Sequence, residues 1–267
     1  MIVTTINVNG IRAAVKERSE ENLGLLPWLA ETKSDVICLQ ETRADDAQLA
    51  QALAPALDAG WQLASAEPHM KGRNGVAVLS RTPITEVRIG LGPECEFASH
   101  GRYLEADTDG VTVASVYVPT GEAETDKQVE KERFMVALAD RMAVLSRKRR
   151  GVVVCGDWNI CATELDLKAW KANVKKSGFL PSERQWLAEL MASGWTDVVR
   201  ELHPDVAGPY SWWSWRGKAF DNDAGWRIDY HLANSKLARN AASARVERAE
   251  TYALRWSDHA PVTVEYS

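Results

Sequence analysis

Residues 151–157, Gly-Val-Val-Val-Cys-Gly-Asp, are apolar for most of their length and end on an acid. β-Branched residues dominate, and the run is short and followed by a turn, so it is expected to be a buried strand. A strand anchored in the core delivers its last residue to the sheet end, where open α/β sheets place their sites. Residues 35–41, Asp-Val-Ile-Cys-Leu-Gln-Glu, repeat the pattern after a helix-like stretch. A single acid after a strand is ordinarily a turn residue or a helix cap. Two of them on similar scaffolds bring a functional reading level with that one.

Outward from these runs, Ile2 to Val8, Gly75 to Leu79, Arg227 to Leu232 and Pro261 to Tyr266 also have strand patterns. Tyr103–Ala106 and Val111–Val118 flank Asp109-Gly110, a strong hairpin signal. Leu23 to Ala30 has a helical pattern. Thr125 to Leu145 is a long amphipathic helix, and its basic tail suits the negative end of the helix dipole. Pro181 starts another helix, with Ser182 expected at the N-cap and Gln185 at the third position of a capping box. No Pro/Gly/Ser linker and no low-complexity tract interrupts the chain, so residues 1–267 are expected to form one α/β domain. Hairpins mixed with helix–strand alternation imply mixed sheets.

The composition is ordinary for a globular protein, at 45% hydrophobic and 26% charged residues. No apolar stretch approaches bilayer length, and the first residues have the pattern of a strand rather than a leader. The expectation is a cytoplasmic, nucleoid-associated monomer with no membrane association. The four cysteines form no CxxC pair, which signals neither structural zinc nor a redox couple. A net charge of −5 argues mildly against nucleic acid. Two readings stand for the basic residues Arg147–Arg150, Lys168, Lys171, Lys175 and Lys176: a nucleic-acid face, or a solvated helix end and loop.

The polar residues at strand ends are Asn7, Asn9, Glu41, Asp157, Asn159, Asp229, Asp258 and His259. All but one offer oxygen, which suits Mg²⁺, with Mn²⁺ as substitute, rather than zinc. Mg²⁺ held by one or two carboxylates and completed by phosphate points to phosphoryl chemistry. A lone histidine is usually structural. His259, however, stands beside Asp258 just before a strand, and Asp229 is placed to orient it and to favour its cationic form. There is no GxSxG, P-loop or GxGxxG motif at a strand–helix junction. Eleven tryptophans are unusual. Trp28, Trp186 and Trp195 fall in helical patterns and are expected in the core. The Ser211–Arg216 and Gly225–Asp229 segments are polar-flanked, and read either as a stacking surface for sugars or bases or as a Trp-rich structural hairpin.

These motifs, in order, resemble the exonuclease III-type AP endonucleases of the endonuclease/exonuclease/phosphatase superfamily. The resemblance runs through Ile6–Arg12, Leu39–Thr42, Gly75–Val78, Tyr117–Pro119, Gly156–Ile160, Gly178–Arg184, Gly225–Tyr230 and Ser257–Pro261. It implies a four-layer αββα sandwich of two mixed sheets flanked by helices. It implies an AP endonuclease that cuts 5′ to abasic sites in double-stranded DNA and leaves a 3′-hydroxyl. Accompanying 3′-phosphodiesterase and 3′→5′ exonuclease activities are implied too. A nonspecific nuclease, another superfamily phosphatase and a non-catalytic nucleic-acid-binding homologue are the alternatives. The implied catalytic set is Tyr117, Asp157, Asn159, Asp229 and His259. The metal set is Glu41 and Asp258, with Asn7, Asn9, Asp157, Asn159 and His259 close by. Arg12, Lys16 and Arg43 match DNA-backbone positions, Trp212, Trp226 and Ile228 match the pocket for the extruded sugar, and Asn173 and Trp213 are further DNA-binding positions. An abasic nucleotide is easy to extrude because no base must be unstacked. Thr120 departs from the family's usual Asn or Gln, and Lys71–Asn74 lacks an aromatic common there.

Overall fold

A computed structural model describes all 267 residues. The strands are β1 (Ile2–Asn7), β2 (Val36–Gln40), β3 (Gln62–Ala66), β4 (Val76–Ser80), β5 (Ile84–Ile89) and β6 (Tyr103–Thr108). They continue with β7 (Val111–Tyr117), β8 (Gly151–Asp157), β9 (Trp195–Asp197), β10 (Asp229–Asn234), β11 (Ala241–Val246) and β12 (Val262–Tyr266). The helices are α1 (Ile11–Ala14), α2 (Leu25–Glu31), α3 (Asp46–Ala52), α4 (Ala54–Asp58), α5 (Asp126–Leu145), α6 (Pro181–Ala192), α7 (Val198–Leu202) and α8 (Ser235–Ala238).

Two six-stranded sheets result, ordered β11-β12-β1-β2-β4-β3 and β5-β6-β7-β8-β10-β9. Val36, Cys38 and Val78 from one sheet and Val113, Val153 and Cys155 from the other fill the layer between them. Ile6, Ile37 and Leu39 point the other way under α2 to α4. Val116, Val152 and Val154 pack under α5 and α6. Strands buried on both faces read as continuous apolar runs, which is why 36–40 and 151–157 do. The expected four-layer arrangement is present. No helix is long and apolar enough to cross a membrane.

Each sheet contains one parallel pair, β1 with β2 and β7 with β8, among antiparallel neighbours. Those four strands end on or beside Asn7, Glu41, Tyr117 and Asp157. The strands that run back, β10 and β12, begin at Asp229 and just after His259. In the antiparallel register Asp229 sits opposite Asp157. Topology alone therefore gathers six polar residues from distant parts of the chain at one end of the sandwich. Gly156 permits this: its φ is 151°, and a Cβ there would stand 1.9 Å from the Val116 carbonyl oxygen of β7.

Three local expectations are corrected. The helix at 181 is capped two residues earlier than expected: Leu180 is the N-cap and Pro181 the first helical residue. Glu183, not Gln185, reaches back, accepting from the Leu180 N–H at 3.0 Å. Trp195 lies on β9 rather than in a helix, though it is buried as expected. The basic run 147–150 precedes β8, roughly 20 Å from the Asp157 end at ~3.3 Å per strand residue. There Arg150 pairs with Asp107 at 2.7 Å, so this run is not part of a surface beside the site.

Candidate active site

The chain turns sharply where β1 and β8 end, and does so in the same way twice. The Asn9 N–H donates to Asn7 Oδ1 and the Asn159 N–H to Asp157 Oδ1, each at 2.9 Å. Asn9 and Asn159 both hold left-handed backbone, with φ of 48° and 51°, which asparagine tolerates well. Glu41 and Arg43 adopt similar angles without that tolerance, and such strain tends to persist at functional sites.

Asn7 is fully buried at the centre, and its Nδ2 donates to Glu41 Oε1 at 2.8 Å and to Asp157 Oδ2 at 2.9 Å. It thereby ties the two acid-ended strands across the sandwich. Asn9 Nδ2 donates to Asp258 Oδ1 at 2.8 Å, and the Trp212 indole to Asp258 Oδ2 at 3.1 Å. Asn159 Nδ2 donates to the Val118 carbonyl at 2.9 Å. His259 Nδ1 lies 2.8 Å from Asp229 Oδ2, and its Nε2 lies 3.7 Å from Asp157 Oδ2.

Asp157, His259 and Asp229 form a buried row, with pKa values displaced accordingly. Burial pushes the Asp157 carboxyl up to about 7; His259 opposes this, and Asp229 and Glu41 add to it. Burial alone would discharge His259, but the Asp229 and Asp157 carboxylates outweigh it and push the imidazole up to about 10. Burial, then Glu41 and Asp157, also raise Tyr117, so its phenol stays protonated. Above its buried ring edge lies the Arg102 guanidinium, 4.9 Å from the ring centroid.

A cleft opens in front of this row. Asn9, Glu41, Asp157, Asn159, Asp258 and His259 form its floor. Trp212, Trp226 and Ile228 form one wall, with the two indoles edge to face at 87°. The expected pocket residues Trp212, Trp226 and Ile228 are thus brought together. Trp213 does not join them: the side chain is buried on the far side against Phe220, and its indole donates to Asp223. Adjacent residues in an extended segment point to opposite sides, so only one of Trp212 and Trp213 can face the cleft.

Arg43 lines the cleft, partly exposed, and is ion-paired with Glu41, its Nε 2.9 Å from Oε2. Asn173 is mostly buried, and its amide donates to the Ala169 carbonyl. Arg12 and Lys16 are exposed at α1, directly after Asn9, and Lys168, Lys171, Lys175 and Lys176 are exposed in the segment beside Gly178.

Charge and lone pairs decide whether the site suits a divalent cation. Glu41, Asp157, Asp229 and Asp258 gather four carboxylates around two cationic side chains, Arg43 and His259. Asp229 Oδ1 is buried without a partner, and Asp157 is driven toward its protonated form. Such a surplus of oxygen anions accommodates an added cation of Mg²⁺ type. The donor set is narrower than expected, since no three acidic or imidazole side chains stand at chelating distance. Asn7 and Asn9 direct NH₂ groups at carboxylates, and a protonated His259 has no lone pair to give. Glu41 and Asp258 both line the cleft and could hold such a cation.

The model of the Endonuclease/Exonuclease/phosphatase family matches residues 4–259. The chain belongs to this family. An exodeoxyribonuclease of Bacillus subtilis is 34% identical over 96% of this chain and 95% of its own length. The DNA repair nuclease APEX1 of Danio rerio is 30% identical over 99% of this chain and 81% of its own. An AP endonuclease from Archaeoglobus fulgidus superposes with a TM-score of 0.89 at 27% identity, covering 100% of this chain and 99% of that one. Within the endonuclease/exonuclease/phosphatase family, these relatives put the chain among hydrolytic DNA repair nucleases of the exonuclease III or AP endonuclease type. Members of the family generally depend on a divalent metal.

Sequence reasoning passed over Arg102, Lys131, Ser177 and Glu183, which surround the cleft or lie beneath it. For Lys131 a signal existed. Gln128 and Lys131 occupy the inward stripe of α5 that continues through Phe134, Leu138, Met142 and Leu145.

Proposed function

We propose that the chain is a Mg²⁺-dependent AP endonuclease. It hydrolyses the DNA backbone 5′ to abasic sites to leave a 3′-hydroxyl, with 3′-phosphodiesterase and 3′→5′ exonuclease activity at the same centre. One observation carries the reading: the Asp157–His259–Asp229 row opens onto a cleft walled by Trp212, Trp226 and Ile228. The polar row suits phosphodiester hydrolysis. The aromatic wall is of a size and polarity to take a bare deoxyribose.

Glu41 and Asp258 would hold the metal, which as a Lewis acid would screen the phosphate and favour ionised Asp157. Asp157 orients the attacking water and takes its proton at Oδ2, from the side held by Asn7 and Asn159. The water oxygen bonds to phosphorus as the bond to the upstream 3′-oxygen breaks, and that oxygen takes a proton from solvent to become the 3′-hydroxyl. His259, cationic and fixed through Nδ1 by Asp229, donates from Nε2 to a non-bridging phosphate oxygen as charge accumulates there. The Tyr117 hydroxyl donates to the scissile phosphate. Arg12, Lys16 and the lysines at 168–176 attract the flanking backbone despite the net negative charge. Thr120, at the rim, reaches less far than an amide and contacts phosphate through water.

The test is metal dependence on a defined substrate. Purified protein with Mg²⁺ should nick a duplex carrying one tetrahydrofuran site. EDTA should abolish the cut, and excess Mg²⁺ or Mn²⁺ should restore it. Undiminished nicking in EDTA would remove the metal from the account.

A further inference from the structure

Lys131 and Glu183 are both fully buried, and Lys131 Nζ lies 2.7 Å from Glu183 Oε1. The same Nζ donates to the Asn159 carbonyl at 2.8 Å, and it reaches the Thr120 carbonyl at 3.4 Å and Ser177 Oγ at 3.3 Å. Glu183 Oε2 in turn accepts from the Gly178 N–H at 2.7 Å, and Ser177 Oγ donates to the Thr120 carbonyl at 2.8 Å. Thr120, Asn159, Ser177 and Gly178 all line the cleft. Three separate stretches of its wall thus converge on one ion pair.

The reason lies in the topology. β7 and β8 are paired as far as Tyr117 and Asp157, and the Val118 N–H to Asp157 carbonyl bond is the last between them. Beyond it the chains splay apart to open the cleft. The carbonyls of Thr120 and Asn159 then face inward with no sheet to satisfy them, and buried carbonyls need partners. An ammonium with three donors meets both at once. Gly178 passes the clamp on to Trp226: a Cβ there would stand 3.0 Å from Trp226 Cζ3 and 3.1 Å from the Asn159 carbonyl oxygen. Buried ion pairs add little net stability, because matched apolar residues often do as well. What this pair supplies is geometry.

We propose that the Lys131–Glu183 pair is a positioning device that sets the separation of the Thr120, Asn159 and Ser177–Gly178 segments, and so holds Asn159 and Trp226 in register for the reaction. Neither residue touches substrate. The inference rests on the cleft being the nuclease site.

The test is the full-length Lys131→Met/Glu183→Gln double variant. It removes both charges with little change in volume, and the unpartnered Gln128 Oε1 offers an acceptor to the new amide. Because Lys131→Met leaves the Asn159 carbonyl without its donor, the variant should melt lower than the parent by up to roughly 10 °C while staying folded. On the abasic duplex kcat should fall about 100-fold, the loss that ~1 Å of misplacement brings, while KM changes little. Amide resonances of Asn159 and Gly178 and the Trp226 indole signal should shift, while those of β12 stay. A folded double variant with parental kcat and unmoved resonances overturns the proposal. If the double variant does not fold, Ser177→Ala decides, since it removes only the hydroxyl bridge. A lower kcat at unchanged KM supports the clamp, and parental kcat overturns it. A parent that fails to cut abasic DNA would refute the assigned function instead, and the spectral comparison would still judge the clamp.

Discussion

Asp229→Asn isolates the charge that keeps His259 cationic. Asparagine preserves the shape and still offers an oxygen to Nδ1, so the row should keep its geometry. Asp229 Oδ2 and His259 Nδ1 are 2.8 Å apart, and both side chains are almost fully buried. With charge centres about 4 Å apart and an effective dielectric of about 20, the lost attraction is about 4 kcal/mol. At about 1.4 kcal/mol per unit, that is roughly three pKa units. His259 would therefore fall from about 10 to roughly 7. In the parent, the rate of abasic incision should rise as Asp157 ionises, at or below about 7 once metal is bound, and fall only as His259 deprotonates near 10. In the variant the alkaline limb should move into the neutral range, costing about tenfold at pH 8 from titration alone. Stability should change in the same window. A histidine raised in the folded state stabilises fully below its ordinary pKa, and that contribution is lost as pH rises through about 10. The variant should lack most of this decline. The assays are the pH profile of kcat/KM and melting temperature against pH. An alkaline limb that does not move, in a variant that folds, would refute the assignment of His259 as a cation held by Asp229.

Three further outcomes are expected. Asp157→Ala should lower kcat by roughly 10²–10⁴-fold in a nicking assay, and a gel shift should show that DNA binding survives. Trp226→Ala should reduce preference for the abasic duplex by about tenfold while sparing 3′→5′ degradation of undamaged ends, in keeping with ~1–3 kcal/mol per stacked group. Asp166→Ala should strip the buried Arg227 and the neighbouring Arg200 of the carboxylate both bind at 2.5 Å. The expected loss is ~3–5 kcal/mol, seen as a melting temperature lower by roughly 10 °C.

The residues differ in how legible they were from sequence. Glu41 and Asp157 stood out because each ends an apolar run, and the end of a core strand is a fixed place in such a fold. Asn7, Asp229, Asp258 and His259 followed from the same logic. The edge strands β3, β5 and β11 gave no signal, since one face of an edge strand meets solvent and their alternation is broken, as in the mostly exposed Ile84–Ile89. Trp212 and Trp213 were indistinguishable because an irregular segment has no period to say which side chain turns inward. The Arg43–Glu41 pair at the edge of the cleft is a through-space contact between left-handed residues that spacing does not encode. The start of α6 at Pro181 was legible, but its cap was misplaced because Pro181 and the reach of Glu183 outweigh Ser182 as a cap.

The most direct test of the account is single-turnover cleavage of two labelled duplexes of identical sequence, one carrying a single tetrahydrofuran site, both with Mg²⁺. One incision immediately 5′ to the abasic residue is expected, with a 3′ end that a polymerase can extend and far slower internal cutting of the undamaged strand. Equal rates on the two duplexes, or a cut on the 3′ side, would contradict it.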